Sequence, residues 1–174
     1  MAGLNITIRP ERVEDKDAIR IVLKAAFPTT AEADLVDLCR ERGRLLLSLV
    51  GLDRSNLVGH ILFTSVTLDP PFPGLRGVGI GPVAVLPAYQ GKGIGSQLMT
   101  IGIEMCSAQG YDFAVLLGDP AYYTRFGFIP GREFGLSSDY GEGDAFQARE
   151  LKPGALRGIK ALIKYTPEFN ETVG

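Results

Sequence analysis

The chain contains few of the residues that build metal and redox centres. Its 174 residues include two cysteines, Cys39 and Cys106, and one histidine, His60. Each cysteine lies in a helix-like apolar pattern, where a small buried thiol is the usual occupant. A structural zinc site needs about four clustered ligands, and the one histidine belongs to no recognisable Ser-His-Asp arrangement. We therefore expect no metal and no nucleophilic cysteine or serine.

Long apolar runs and an excess of basic residues are also missing. No segment reaches the roughly 20 consecutive apolar residues that span a bilayer, and the N-terminus lacks an apolar signal region. The 18 Lys and Arg residues are outnumbered by 20 Asp and Glu residues, so the formal net charge is −2. We therefore expect a cytoplasmic protein that binds neither membranes nor nucleic acid.

The length and composition of the chain suit one compact domain. A chain of this size buries roughly 70% of the surface that its unfolded form exposes. Hydrophobic residues make up 45% of the chain and charged residues 22%, both ordinary values for a globular protein. No repeat, low-complexity segment or linker divides the sequence, so we predict a single domain over residues 1–174.

Apolar spacing predicts strands and helices that alternate along the chain. This order is typical of a mixed α/β sheet with helices on both faces. The predicted strands are 6–9, 45–52, 57–68, 78–86, 113–117 and pieces around 146–151 and 158–165, and the predicted helices are 13–27, 31–42, 93–109 and a short one from 120.

The most informative segment is 81–99, GPVAVLPAYQGKGIGSQLM. An apolar strand ends at Pro87, a turn contains Gly91, Gly93 and Gly95, and a helical pattern follows. A glycine turn that opens a helix leaves backbone N–H groups without intrahelical partners, and the positive end of the helix dipole suits a phosphate. The segment therefore predicts a phosphate-binding turn.

Two common glycine motifs do not fit this turn. The nucleoside-triphosphate loop G-x-x-x-x-G-K-[ST] fails because Gly93 follows Lys92. The dinucleotide motif G-x-G-x-x-G/A fails at Gly91 and Gly93 because Ser96 occupies its third small position. A formal match that begins at Gly79 lies inside a strand pattern with no helix directly after it, so we regard it as accidental.

The remaining pattern, Gln90-x-x-Gly93-x-Gly95 after a Val-Ala-Val strand, resembles the acyl-CoA pyrophosphate loop of the GNAT superfamily of N-acyltransferases. The resemblance extends over nearly the whole chain, and its specific parts are 83–98 and 117–128. It implies a GNAT-like fold, a mixed, mostly antiparallel twisted sheet flanked by helices on both faces, and acetyl-CoA as cosubstrate. The residues that it assigns to cofactor binding are Val83, Ala84, Val85, Gln90, Gly91, Lys92, Gly93, Ile94, Gly95, Ser96 and Asp119.

A second segment, DPAYYTRFGF at 119–128, resembles the family's short helix that begins at Asn or Asp and ends in Tyr-x-x-x-Gly-Phe. The match assigns the motif tyrosine to Tyr123, whose phenol would protonate or hydrogen-bond the departing CoA thiolate. A phenol with a reference pKa of ~10 is still protonated at neutral pH and can donate. Tyr122, about a hundred degrees round the same helix, is the local alternative.

The strand before the glycine turn is interrupted by glycines at 77, 79 and 81 and by Pro82. Glycine inside a strand often marks a bulge or a close backbone approach, and the resemblance places the amides of Val83 and Val85 beside the pantetheine arm. Many relatives carry a carboxylate on this strand as general base. Because this chain has glycines there, the base stays open between His60, Glu32, Asp34 and ordered water.

We expect an N-acetyltransferase that moves an acetyl group from acetyl-CoA to a primary amine by direct attack in a ternary complex. The acceptor is a small molecule or a peptide, and a homodimer is the family-level expectation. Two alternatives stay open: a catalytically silent acyl-CoA-binding sensor or interaction module, and a transferase of a longer acyl group or to a hydroxyl. The acceptor itself is not specified, because residues 26–42 and 131–169 carry no motif.

Overall fold

The computed structural model describes residues 3–141 and 143–172. Its contacts divide the chain into two compact units. Unit 1 comprises Met1–Phe63, Pro82–Gly102 and Pro167–Gly174, and unit 2 comprises Thr64–Gly81 and Ile103–Thr166. The single domain over 1–174 stays a prediction.

Nine strands and five α-helices follow one another within the described residues. Two of the strands, β3 and β4, contribute residues to both units. In chain order the elements are β1 (Ile6–Pro10), α1 (Lys16–Ala26), α2 (Ala31–Glu41), β2 (Leu47–Asp53), β3 (Asn56–Asp69), β4 (Gly77–Val85), α3 (Ile94–Ala108), β5 (Phe113–Leu117), α4 (Pro120–Tyr123), β6 (Ile129–Pro130), β7 (Leu136–Ser138), β8 (Phe146–Glu150), β9 (Ala161–Lys164) and α5 (Glu168–Thr172).

Unit 1 is built on antiparallel strands. Strand β1 pairs with β2, which pairs in turn with the first part of β3 through a tight turn at Arg54. Helices α1 and α2 each turn one apolar face to the core, as their spacing predicts. That core is formed by Ile19, Val22, Leu23, Ala33, Leu35, Val36, Cys39, Val50, Leu62 and Ala84.

Unit 2 combines parallel and antiparallel pairing. The first part of β4 runs parallel to β5, which pairs antiparallel with β8, and β8 pairs with β6. Strand β7 runs parallel to β9, and β9 pairs with the end of β3. The core of this unit is formed by Val66, Phe113, Val115, Leu136, Phe146, Ala148, Leu156, Ala161 and Ile163.

The predicted fold class is confirmed: the protein is a mixed α/β fold with a mostly antiparallel open sheet flanked by helices. Sequence patterns missed β6, β7 and α5. Strands of two and three residues are too short to show apolar alternation, and the five-residue α5 is stabilised by contacts that are distant in sequence. One of them joins the buried Glu168 to Arg44 Nε, 3.2 Å from its carboxylate.

Both cysteines are buried, as predicted. Burial raises the pKa of the Cys106 thiol to about 12. At neutral pH this thiol is therefore protonated, and the thiolate is the form that reacts with electrophiles and metals.

Two adjacent threonines lie at the start of α2. Thr30 occupies the N-cap position, but its hydroxyl donates to Asp34 Oδ2 at 3.0 Å and caps no backbone N–H. The Thr29 hydroxyl instead accepts from the Ala31 N–H at 3.3 Å. Thr29, and not the N-cap residue, therefore supplies the side-chain oxygen that accepts from a backbone N–H at the start of the helix.

A buried polar network in unit 1 surrounds the one histidine. The Ser48 hydroxyl contacts the Glu11 carboxylate and lies 2.8 Å from His60 Nε2, while Arg40 donates to both oxygens of Glu11 at 2.9 and 3.1 Å. Burial raises the pKa of the Glu11 carboxyl, but the hydrogen bonds from Arg40 and Ser48 outweigh it, and this pKa lies below its ordinary value. Because ionised Glu11 only accepts, Ser48 donates to it and His60 donates its Nε2–H to Ser48.

His60 is completely buried, and burial lowers its pKa from 6.5 to about 4. The charge of Glu11 opposes this shift, and the charge of Arg40 adds to it. His60 is therefore neutral at pH 7. Within the described residues its Nδ1 has no hydrogen-bond partner.

This environment predicts that acid destabilises the protein through His60. The unfolded chain binds the imidazole proton with a pKa near 6.5, whereas the folded chain binds it with a pKa of about 4. Between these values the unfolded state holds more protons, so the free energy of unfolding falls as the pH falls. From pH 7 to pH 5 the loss from this group is on the order of 2 kcal/mol.

Urea unfolding at pH 7 and pH 5 measures this loss. We expect a smaller loss in His60→Gln, because its side-chain amide can still donate to Ser48 but does not titrate. Glu11 is present in both proteins, so its own contribution to the pH dependence of the free energy of unfolding cancels when the two losses are compared. An equal loss in the two proteins would contradict the prediction.

Candidate functional site

The end of β4 presents one backbone edge away from β3. In unit 1 the N–H of Leu86 donates to the Val58 carbonyl at 2.9 Å, so Leu86 and Ala84 direct their backbone groups towards β3. Alternate residues of a strand direct their N–H and C=O groups to opposite sides. The backbone groups of Val83 and Val85 therefore face the other edge, where the Gln90 side-chain amide donates to the Val85 carbonyl at 3.0 Å.

The glycine turn of unit 1 is open. Gly91 and Gly93 have φ values of +75° and +84°, which strain any residue with a Cβ. A Cβ built at either position meets no atom within 4 Å. The turn therefore needs glycine for its backbone conformation and keeps the space above it free.

Helix α3 begins directly after this turn, at Ile94. The first N–H groups of a helix, here those of Ile94, Gly95 and Ser96, have no carbonyl one turn earlier to accept from them. No acidic side chain lies in this first turn, and the exposed Lys92 precedes it. The positive end of the helix dipole is thus not neutralised locally, and the turn suits an anion.

Two side chains that flank the turn brace it within unit 1. The Tyr89 hydroxyl donates to Asp53 Oδ2 at 3.1 Å, and Asp53 Oδ1 accepts from the Asn5 N–H at 3.3 Å. The Gln90 side chain folds back onto the Val85 carbonyl and so links the start of the turn to the end of β4. Sequence reasoning missed Tyr89 and Asp53, because 36 residues separate them and neither belongs to a local pattern.

The glycines that were predicted to interrupt β4 have two different roles in unit 2. A Cβ at Gly77 would lie 2.2 Å from the Phe113 ring, and one at Gly79 would lie 2.7 Å from the Tyr165 ring, so these two glycines permit close packing. Gly81 differs: its φ is +134°, and the pairing of β4 with β5 ends one residue before it, at Ile80. Gly81 alone therefore marks the point where the strand leaves its partner.

The second predicted motif forms the helix α4 in unit 2. Asp119 Oδ1 accepts from the Ala121 N–H at 2.9 Å, Pro120 occupies the first helical position, and Gly127, with φ of +82°, ends the segment. Each of these features is typical of its residue type. Asp119 thus has a structural role in holding the helix that carries Tyr123.

Tyr123 lies in an aromatic cluster. Its ring centre is 4.9 Å from that of Tyr122 and 6.5 Å from that of Phe128, both in edge-to-face arrangements. Burial raises the pKa of the Tyr123 phenol, and Tyr122 adds to this shift, so the proton is held firmly at neutral pH. Tyr122 instead stacks under the Arg125 guanidinium, which is 4.5 Å from its ring centre.

The three side chains considered as general bases have different surroundings in unit 1. His60 is buried and bound to Ser48, as described above. Asp34 accepts from Arg20 and Thr30, and the hydrogen bond from Arg20 chiefly lowers its pKa. Glu32 Oε2 is buried and has no hydrogen-bond partner within residues 3–141 and 143–172.

The structure thus gathers the predicted site residues into two groups. Within unit 1 it brings together the edge of β4 and the glycine turn, and within unit 2 it brings together Asp119 and Tyr123. In the part of the chain that is described, no three His, Cys, Asp or Glu residues are placed to hold a metal ion. No helix there is both long and apolar enough to cross a membrane.

The sequence matches an acetyltransferase family model and relatives that are named as N-acetyltransferases. A family model described as an acetyltransferase (GNAT) domain matches residues 7–131. The uncharacterized N-acetyltransferase YhbS of Escherichia coli strain K12 is 38% identical over 165 residues, which cover 94% of this chain and 98% of the relative. The uncharacterized N-acetyltransferase YjhQ of the same strain is 40% identical over 122 residues, which cover 67% of this chain and 65% of the relative.

Solved structures agree with the sequence relatives. The crystal structure of YhbS from Escherichia coli in complex with CoA has a TM-score of 0.92 and 36% identity, covering 98% of this chain and 94% of that one. A GNAT family acetyltransferase from Brucella melitensis in complex with acetyl-CoA has a TM-score of 0.78 and 33% identity, covering 96% and 99%. The chain therefore belongs to the GNAT family of N-acetyltransferases and is an acyltransferase.

Proposed function

We propose that this acyltransferase binds acetyl-CoA and transfers its acetyl group to a primary amine of a small molecule or peptide. The observation that carries the proposal is the open glycine turn before α3, where positive φ values and unpaired amides create an anion site. The two relatives with solved complexes, at 36% and 33% identity, hold CoA and acetyl-CoA. We also propose a cytoplasmic location and a homodimer, as expected for the family.

The turn and the strand edge contribute differently to binding. The amides of residues 91–96 donate to the pyrophosphate, and Lys92 adds positive charge. The N–H of Gln90 donates to the Pro87 carbonyl, so Gln90 contributes through its side-chain bond to the Val85 carbonyl, which holds the turn. Val83 and Val85 offer backbone groups on the edge of β4 that faces away from β3, which suits an extended pantetheine arm with amide groups of its own. The N–H of Val83 polarises the thioester carbonyl, as an oxyanion site does.

Transfer takes place by direct attack of the neutral amine on the thioester carbonyl. The new C–N bond forms, the C–S bond breaks, and Tyr123 gives its proton to the leaving sulfur. The phenol holds its proton more tightly than a thiol with a reference pKa near ~8.5, so Tyr123 is still protonated when negative charge develops on the sulfur and can donate to it. The water that accepts the amine's proton returns a proton to Tyr123. Asp119 is proposed as a further cofactor contact, where a carboxylate oxygen accepts from an N–H of the pantetheine arm.

The amine's proton leaves to ordered water in this proposal. His60 is neutral and already donates to Ser48, and Asp34 is held by Arg20, so neither is free to take a proton at neutral pH. Of the candidate bases, Glu32 is a carboxylate with a buried oxygen that has no hydrogen-bond partner among the described residues. An experiment therefore has to distinguish proton transfer to Glu32 from proton transfer to water.

The first test introduces a carboxylate at the turn. Gly93→Glu should abolish CoA binding measured by calorimetry, because a side chain is strained at this φ and a negative charge enters the anion site. The matched control is Gly74→Glu, where φ is +87° and a Cβ likewise meets no atom within 4 Å. Unchanged CoA affinity in a folded Gly93→Glu protein would refute the assignment.

The second test compares the adjacent tyrosines. Tyr123→Phe should lower kcat by roughly 10²-fold with little change in CoA affinity, as expected for the loss of one general acid. Tyr122→Phe should change kcat much less, since its ring packs against Arg125. Equal, near-native rates in both variants would make the acid assignment wrong, and no thiol release with any amine would favour a silent CoA-binding module.

The third test concerns the proton of the amine. With saturating amine, the rate should rise with pH along a limb that follows the acceptor's own pKa when several amines are compared. Both His60→Gln and Glu32→Gln should keep that limb. A flattened limb in only one of them would identify that residue as the base and overturn the water route.

A further inference from the structure

The segment that carries Tyr123 is held at both ends by one face of β8. Gln147 Nε2 donates to the Gly118 carbonyl at 3.2 Å, just before α4, and Arg149 Nη1 donates to the Phe126 carbonyl at 3.0 Å, just after it. Residues two apart in a strand project from the same face. A single strand in unit 2 therefore fixes the start and the end of the segment.

The Tyr123 ring rests directly on Gly118. A Cβ built at Gly118 would lie 2.4 Å from Tyr123 Cε2 and 2.9 Å from Cδ2. Real Cβ atoms essentially never approach another heavy atom below 3.0 Å, so the ring sits where only glycine leaves room for it. Any larger residue must move the ring or the backbone.

The main chain of Gly118 is fixed by hydrogen bonds on both its N–H and its carbonyl. Its N–H donates to the Ala145 carbonyl at 3.0 Å, and its own carbonyl accepts from Gln147. Gln147 is 1% exposed, and its Oε1 has no hydrogen-bond partner among the described residues. A buried oxygen without a partner lowers the stability of the folded protein. The Gln147 amide therefore contributes to the structure through the hydrogen bonds that its Nε2 donates.

We propose that Gly118, held by Gln147, and Arg149 are positioning residues that set the place of the Tyr123 hydroxyl. The proposal rests on the role of Tyr123 in the proposed function. Gly118 lets the ring approach the main chain, and the two β8 side chains prevent the segment from shifting along the strand. Small displacements of a proton donor reduce rates strongly, because the donor must lie within hydrogen-bond reach of the atom it serves.

A double-mutant cycle tests this coupling. In the protein with Tyr123, Gly118→Ala should lower kcat by about 10-fold or more while KM and CoA affinity stay near their native values. In the Tyr123→Phe background the same change should have almost no effect on kcat, because the group that it displaces is gone. An equal fold loss in both backgrounds would overturn the proposal.

The matched control is Gly131→Ala. A Cβ there would lie 2.5 Å from the Phe146 ring, a clash of the same size in the same unit that does not involve Tyr123. Any loss of kcat in this variant should be the same with Tyr123 and with Phe at that position. If Tyr123→Phe itself leaves kcat unchanged, the proposed function fails, whereas an effect of Tyr123→Phe without coupling to Gly118 refutes only the positioning role.

A second pair of variants decides the matter if Gly118→Ala does not fold. Arg149 makes one bond to the Phe126 carbonyl, which a lysine ammonium can replace, so Arg149→Lys should retain kcat. Arg149→Met keeps the aliphatic part of the side chain and should lower kcat only when Tyr123 is present. Equal kcat in the methionine and lysine variants would contradict the inference.

Discussion

An α-helix starts with amide groups that its own carbonyls cannot satisfy, and in this protein the start of α3 meets that constraint with open space. Gly91 and Gly93 adopt conformations that strain other residues, and the first turn of the helix carries no carboxylate. The bond from Tyr89 to Asp53 and the bond from Gln90 to Val85 hold the turn in this shape. An anion site built chiefly from backbone amides depends on such bracing, because backbone amides bind well only when their directions are fixed.

Much of the fold and of the two motifs was predictable because their signals are local. Asp119 and Gly127 fix the ends of their segment by residue type alone, and the apolar spacing of α1 needs no distant partner. The roles of Gly77 and Gly79 were not predictable, since they depend on rings at Phe113 and Tyr165, far along the chain. A glycine pattern shows where side chains are absent, but it does not show which neighbouring side chain packs against the glycine.

The one histidine illustrates the same limit for chemistry. Its residue type suits proton transfer near neutral pH, but burial and the bond to Ser48 make it a neutral donor within a network that includes Glu11 and Arg40. The partners come from three other segments, and Glu11 lies 37 residues from Ser48. The pKa of Asp34 is likewise lowered by a hydrogen bond from Arg20, which belongs to another helix. Type and spacing name the groups that can titrate, and the surroundings decide which of them do so.

The two buried cysteines have a practical consequence for measuring the enzyme. Chromogenic disulfide reagents detect free CoA through its thiolate, and thiols of the protein normally add a background signal. Cys39 and Cys106 are 0% and 1% exposed, and burial raises the pKa of Cys106 to about 12. A protonated thiol without solvent access reacts slowly with such reagents. While the protein is folded, the colour therefore reports the product alone, and a rising blank becomes an internal indicator of unfolding.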